Sequence, residues 1–245
     1  MTIARKALVT GASGSVGSAI ARQLLGAGYA VTIQGRRQND LVVPLIGAGA
    51  VWWECDLAAD TFEQKWLASC DILVNAAGVL LSKGPVHLAS ADEYERTMAV
   101  NVRAPFTLCQ KVIPGMIDRS WGRIVNVGSI YSLRATSNNS VYNMSKHALS
   151  GLTGTIAKDY ASHGITCNEV CPAAVDSRLI RRIATQWAET HGGTSNDYLA
   201  NVAAAIPAGR MPTPDEVAAV VSFLVSEPAG MINGVSIPVD GGLIC

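Results

Sequence analysis

Ala7-Leu8-Val9-Thr10-Gly11-Ala12-Ser13-Gly14-Ser15-Val16-Gly17 carries an apolar strand into a glycine-rich turn and on into a helical pattern. Glycines in that order let the backbone approach a pyrophosphate closely, and the amides and positive end of the following helix stabilise its charge. The same glycines away from a strand would be a plain turn; between strand and helix they read as a dinucleotide-binding loop. Outward from the loop, apolar segments alternate with amphipathic ones, the pattern of βαβ units around a parallel sheet. The expected fold is α/β, a doubly wound parallel sheet in a single domain over residues 1–245.

Strands are expected at Ala7 to Thr10, Ala30 to Gln34, Val51 to Cys55, Asp71 to Asn75, Gly122 to Val127, Ile165 to Cys171 and Ser236 to Val239. The main helices are expected from Gly14 to Ala27, Ala91 to Asp118, Ser140 to Ala161 and Pro214 to Ser226. Between the second and fourth strands the connections look short. Pro44, Gly47 and Gly49 break the first, and only Thr61 to Ala68 offers a helical pattern in the second. Ser177 to Arg210 reads as an insertion of two helical patterns around His191-Gly192-Gly193-Thr194-Ser195-Asn196, placed where substrate lids form.

With 49% hydrophobic and 16% charged residues among 245, the chain can bury a large core. Nineteen basic side chains balance nineteen acidic ones, so neither nucleic acid nor an anionic membrane is an expected partner. No apolar run reaches the ~20 residues that span a bilayer, and Met1 to Lys6 leads directly into a strand without a signal peptide; the expected location is cytoplasmic. Six scattered cysteines without C-x-x-C spacing read as free thiols, and no metal site is expected.

Chemistry enters with Ser129, Tyr142 thirteen positions later, and Lys146 four beyond that. Positions i and i+4 of a helix share a face, so the Lys146 ammonium can favour the Tyr142 phenolate while Ser129 approaches from a strand end. Tyr142 is then a general acid or base. A bare Y-x-x-x-K is common on solvated helix faces; the order glycine loop, Asn75-Ala76-Ala77-Gly78, Asn101, Ser129, Tyr142, Lys146 is not.

That series resembles the short-chain dehydrogenase/reductase family, single-domain type with a Ser/Tyr/Lys/Asn tetrad, from about Ala7 to Gly242. The resemblance implies a Rossmann-like fold and hydride transfer between a nicotinamide and a carbonyl or secondary alcohol. Ser129 would bind the substrate oxygen and Tyr142 move the proton. Lys146 would lower the tyrosine pKa and bind the nicotinamide ribose, and Asn101 would hold a water linking Lys146 to solvent. Cofactor contacts are implied for Gly11, Ser13, Gly14, Ser15, Val16 and Gly17. Others are implied for Asp56 and Leu57 at the adenine, for Asn75, Ala76 and Gly78 along the ribose, and for Pro172, Val175 and Ser177 around the nicotinamide. Ser15 stands where relatives carry the middle glycine, and Ala173 where they carry glycine after Pro172. Gly35 takes the place of the aspartate of NAD-preferring relatives, and Arg36 follows it, suited to a 2′-phosphate. NADP is the expected cofactor; the plainer reading of Arg36 and Arg37 is solvated loop charge.

Arg178, Arg181 and Arg182 could hold an anionic group, but Leu179, Ile183 and Trp187 at helical spacing make them most simply the wet face of an amphipathic helix. Arg134, Asn138 and Asn139 lie where relatives line the substrate pocket and favour a small polar ketone or hydroxy acid. A 3-oxoacyl thioester reductase is the alternative within the family, and a non-catalytic dinucleotide-binding sensor or structural subunit the alternative of another class. The resemblance also implies a homotetramer built through the long helices and the C-terminal strand.

Overall fold

The computed structural model describes residues 4–59, 62, 64–81 and 84–245. Seven strands form one parallel sheet: β1 Lys6–Val9, β2 Ala30–Gly35, β3 Val51–Glu54, β4 Ile72–Asn75, β5 Gly122–Val127, β6 Ile165–Pro172 and β7 Ser236–Val239. Their order is β3-β2-β1-β4-β5-β6-β7. Among the described residues, eight α-helices accompany it: α1 Ser15–Gly26, α2 Val43–Gly47, α3 Ala91–Met98, α4 Ala104–Asp118, α5 Ser140–Tyr160, α6 Arg178–His191, α7 Ser195–Ala204 and α8 Pro214–Leu224.

The sheet is parallel because each crossover carries a helix or a long loop back over a face, which leaves the central strands buried on both sides. Every residue of β4, β5 and β6 is accordingly buried. One apolar layer packs α1 and α8 against Val9, Ile33, Val74 and Val125; the other packs α4 and α5 against Leu8, Leu73, Ile124 and Cys167. Both connections between β2 and β4 are short, as the breakers in the sequence imply. α2 has only five residues, and among the described residues the segment before β4 holds a single 3₁₀ run, Lys65–Ser69. Thr61, part of the expected helical pattern there, lies outside the described residues, as do Met1 to Ile3 of the expected leaderless start.

The long helix expected from Ala91 to Asp118 is continuous but not uniform. A π-helical segment, Ala99–Arg103, joins α3 to α4 and contains Asn101. Such a bulge turns one side chain out of the regular helical register. α6 differs from its expected packing: its buried residues are Ile180 and Ala184, while Leu179 is exposed. One residue is about 100° around a helix, so the face that docks lies one step from the Leu179, Ile183 and Trp187 stripe. Trp187 instead stacks on His191 and meets Tyr198 of α7.

Candidate active site

Neighbouring β1 and β4 send their crossovers to opposite faces, and the loops that leave them open a crevice at the carboxyl ends of the strands. A cleft of about 520 Å³ lies there. Gly11 makes its floor possible. Its φ is +69°, and a Cβ added to it would come within 2.7 Å of the Ala77 Cα, so only glycine brings the loops after β1 and β4 together. The Thr10 hydroxyl fastens the same junction, accepting from the Ala76 and Ala77 amides at 3.0 and 3.1 Å.

Gly11, Ser13, Gly14, Ser15, Val16, Gly17, Arg36, Asp56, Leu57, Ala76, Gly78 and Ser177 all line this cleft. Asn75, Pro172, Val175 and Lys146, also assigned to the cofactor by resemblance, are not part of its lining. Asn75 is buried beneath the sheet end, donating to Asn126 Oδ1 at 2.8 Å, because the pleat turns its side chain away from the crevice. Pro172 ends β6 in the interior, and Val175 packs with the α8 side of the core.

Gln34 was not singled out in the sequence. It is buried, accepts from the Gly11 amide at 3.0 Å and donates to the Cys55 carbonyl at 2.6 Å, fixing the glycine loop against the end of β3. A polar residue in an otherwise apolar strand was the available signal. Arg96 of α3 and Leu179 and Arg182 of α6 also line the cleft. Arg178 forms a two-pronged pair with Asp40 at 2.7 and 2.5 Å, and its amide donates to Ser15 Oγ at 3.2 Å. It therefore ties the start of α6 to the loop after β2, which the wet-face reading did not foresee.

Ser129, Tyr142, Lys146 and Asn101 form a second cluster. Ser129 lies two residues beyond β5 and caps the 3₁₀ turn Ile130–Ser132, accepting from the Tyr131 amide. Tyr142 and Lys146 lie on the first turns of α5, with the ammonium 5.6 Å from the ring centroid. Lys146 Nζ donates to the Val127 carbonyl at 2.9 Å. A Cβ on Gly78 would sit 3.6 Å from both Lys146 Nζ and Asn101 Oδ1, so both side chains lie beside a glycine of the cleft wall. The Asn101 amide spans the Val79 backbone and Ser145 Oγ, and Ser145 donates to the Tyr142 carbonyl; Asn101 thereby holds α5 to the loop after β4.

Electrostatics at the pair run against the simple expectation. Burial pushes the Tyr142 phenol up to about 12; the Ser129 hydrogen bond pulls it down and Tyr131 pushes it up. Lys146 is lowered to about 8 by burial, against the raising pull of Glu169. In this arrangement the phenol is a proton donor, and the lysine sits within reach of neutral pH.

The residues present fit a nicotinamide dinucleotide. The glycine loop presents its backbone at the N-terminus of α1, the place for a pyrophosphate. At the adenosine end, Gly35 and Arg36 offer no carboxylate for ribose hydroxyls. A Cβ on Gly35 would lie 2.6 Å from Trp52 Cη2, so the indole occupies the path an acidic side chain would take. Among the described residues, no group of three or more His, Cys, Asp or Glu is placed to hold a metal, and all six cysteines are unbridged.

A family model described as enoyl-(acyl carrier protein) reductase matches residues 11–244. The chain belongs to the short-chain dehydrogenase/reductase family. Acetoacetyl-CoA reductase of Shinella zoogloeoides is 31% identical, with 98% of each chain covered. The 2-(R)-hydroxypropyl-CoM dehydrogenase of Xanthobacter autotrophicus is 34% identical, again with 98% of each covered. Among solved structures, ligand-free aldohexose dehydrogenase of Thermoplasma acidophilum is similar at a TM-score of 0.87 and 32% identity, covering 98% of this chain and 94% of that one. Actinorhodin polyketide ketoreductase with NADPH gives a TM-score of 0.89 at 27% identity, covering 98% and 97%. Membership of this short-chain family makes the protein an NAD(P)-dependent oxidoreductase of carbonyl and hydroxyl groups.

Proposed function

We propose that this oxidoreductase is an NADP(H)-dependent reductase or dehydrogenase interconverting small polar ketones and the corresponding secondary alcohols, hydroxy acids included. The observation that carries the reading is the meeting of Ser129, just after β5, with Tyr142 and Lys146 on the first turns of α5, with Lys146 Nζ beside Gly78 of the cleft wall. The bound nicotinamide supplies or accepts the hydride. Ser129 would hydrogen-bond the substrate oxygen, and Tyr142 would deliver its proton in the reducing direction. Protonated Lys146 would stabilise the phenolate that this leaves, and Asn101 would keep α5 in register with the cofactor loop.

Preference for NADP(H) rests on Arg36 in the cleft wall and on Trp52 against Gly35. Residues 177–210 would form the substrate lid, fastened to the cofactor loops through Arg178. A homotetramer is part of the proposal. Phe106 is exposed on α4 and lines, with Met98, Val102 and Leu152, a mostly apolar groove between the α3-to-α4 stretch and α5, with Glu95 and Arg103 at it. Balanced charge and six free thiols favour a reducing, cytoplasmic setting without nucleic-acid or membrane partners, and no described helix is long and apolar enough to cross a membrane. The acetoacetyl-CoA reductase relative supports a second reading, reduction of 3-oxoacyl thioesters.

The test is NADPH and NADH oxidation across small keto acids, diketones, sugar-derived carbonyls and 3-oxoacyl thioesters. Tyr142→Phe should lower turnover by a factor on the order of 10³ while leaving NADPH binding within a few-fold. NADPH binding without turnover on any carbonyl would instead point to a sensor or structural subunit.

A further inference from the structure

We infer that Glu169 is a positioning residue of the proton-transfer group, acting as the counter-ion of Lys146 and as the anchor of the Ser129 turn. The inference rests on the roles proposed above for Ser129, Tyr142 and Lys146. Glu169 lies on β6 and has no exposed surface. Three hydroxyls from three different elements converge on its carboxylate. Ser132, from the turn that Ser129 caps, donates to Oε1 at 2.7 Å. Ser150 of α5 and Ser236 of β7 donate to Oε2 at 2.7 and 2.8 Å. The Ser132 oxygen in turn accepts from the Ser129 amide at 3.2 Å, so one carboxylate reaches the Ser129 backbone through a single hydroxyl. Ser150 follows Lys146 by four residues on the same face of α5, and a Cβ on Gly128 would fall 2.1 Å from Glu169 Oε1. Glu169 therefore sits directly beneath the Gly128-Ser129 corner and beside the lysine helix.

A carboxylate this deep is costly unless hydrogen-bonded and faced by a cation. Lys146, 4% exposed, supplies the cation. Arg123, the other deeply buried cation among the described residues, lies at the far end of β5 against Trp121. The remaining titratable groups at the site are the Tyr142 and Tyr131 phenols on the α5 side and the Cys167 and Cys171 thiols of β6. Burial pushes Cys171 up to about 12 and also raises Cys167, so both thiols stay neutral and the charges to be matched are those of Glu169 and Lys146. The carboxylate raises the lysine's proton affinity against the lowering effect of burial.

Glu169→Gln keeps the shape and removes the charge; its amide oxygen still accepts, while the serine hydroxyls that face its amide nitrogen must turn to accept from it. Reduction needs Lys146 protonated, so wild-type kcat/KM for NADPH-dependent carbonyl reduction should fall as pH rises through the lysine's pKa of about 8. In Glu169→Gln that fall should move to lower pH by about one unit or more. Ser236→Ala, which removes one donor and leaves the charge, should lower the rate without moving the profile. Coincident profiles for wild type and Glu169→Gln would overturn the inference. A measurement without substrate separates this result from failure of the functional reading. In protein labelled at the lysine ε-carbon, with Lys146 assigned by Lys146→Met, the carbon shift should titrate near 8 in wild type and lower in Glu169→Gln. A wild-type Lys146 titrating near ~5–6, as buried lysines without a counter-ion do, would overturn the inference even if Glu169→Gln fails to fold.

Discussion

At Tyr142 and Lys146 the same burial acts in opposite directions, raising the phenol to about 12 and lowering the ammonium to about 8. Both shifts favour the neutral form, as removal from water dictates. In the free enzyme the working state proposed for reduction, neutral phenol beside protonated ammonium, therefore persists up to about pH 8. A pH series of kcat/KM should decline above that point, and a flat profile to pH 10 would exclude Lys146 as the group that titrates. Gly35 makes a second case at this scale. Sequence reasoning alone recommends Gly35→Asp as the switch to NAD, but the Cβ would lie 2.6 Å from Trp52 Cη2. Gly35→Asp by itself should cost roughly 1–3 kcal/mol of stability through overpacking and leave NADH binding weak. The pair Gly35→Asp with Trp52→Leu should bind NADH about tenfold better than the single variant in a fluorescence titration. Equal affinities would show that the indole is no obstacle.

Among the elements, those whose ends and faces are written in local chemistry were legible. Thr213-Pro214-Asp215-Glu216 starts α8, and there Thr213 and Glu216 form a reciprocal cap on each other's backbone amides. Thr213→Ala should lower stability by about 1 kcal/mol in urea unfolding, with no change in NADPH affinity. Ser140–Tyr160 and Gly122–Val127 were also readable, because their periodicity and flanking residues agree with the packing they enter. The π segment at Asn101 was not, since its sequence Ala-Val-Asn-Val-Arg is ordinary helix and only the demands of Val79 and Ser145 on the asparagine amide reveal the extra residue. The docking face of α6 also escaped a periodicity argument. Two apolar stripes lie one residue apart on that helix, and the core selected Ile180 and Ala184.

For the whole molecule, the α4 and α5 face is where the proposed homotetramer would associate. Phe106 is 48% exposed there, beside an apolar groove. Placing a charge in such a patch opposes association without disturbing the fold beneath. Phe106→Glu should move the protein to a smaller species in size-exclusion chromatography with light scattering, while NADPH binding per chain is kept. An unchanged mass would remove this face from the assembly. The parallel sheet itself follows from the alternation of apolar and amphipathic segments, and the cleft from the glycine loop placed between the first strand and helix. By itself the sequence determined the fold class and carried the proposal of a dinucleotide loop and of Ser129, Tyr142 and Lys146 as the reacting groups, because these depend on periodicity and on residue types at short spacing. Only the tertiary structure decided that Asn75 faces the interior, that Gln34 braces the glycine loop, that Trp52 crowds Gly35 and that Glu169 lies under Ser129. Each of those depends on which strands become neighbours, and contacts between residues distant along the chain have no local signature.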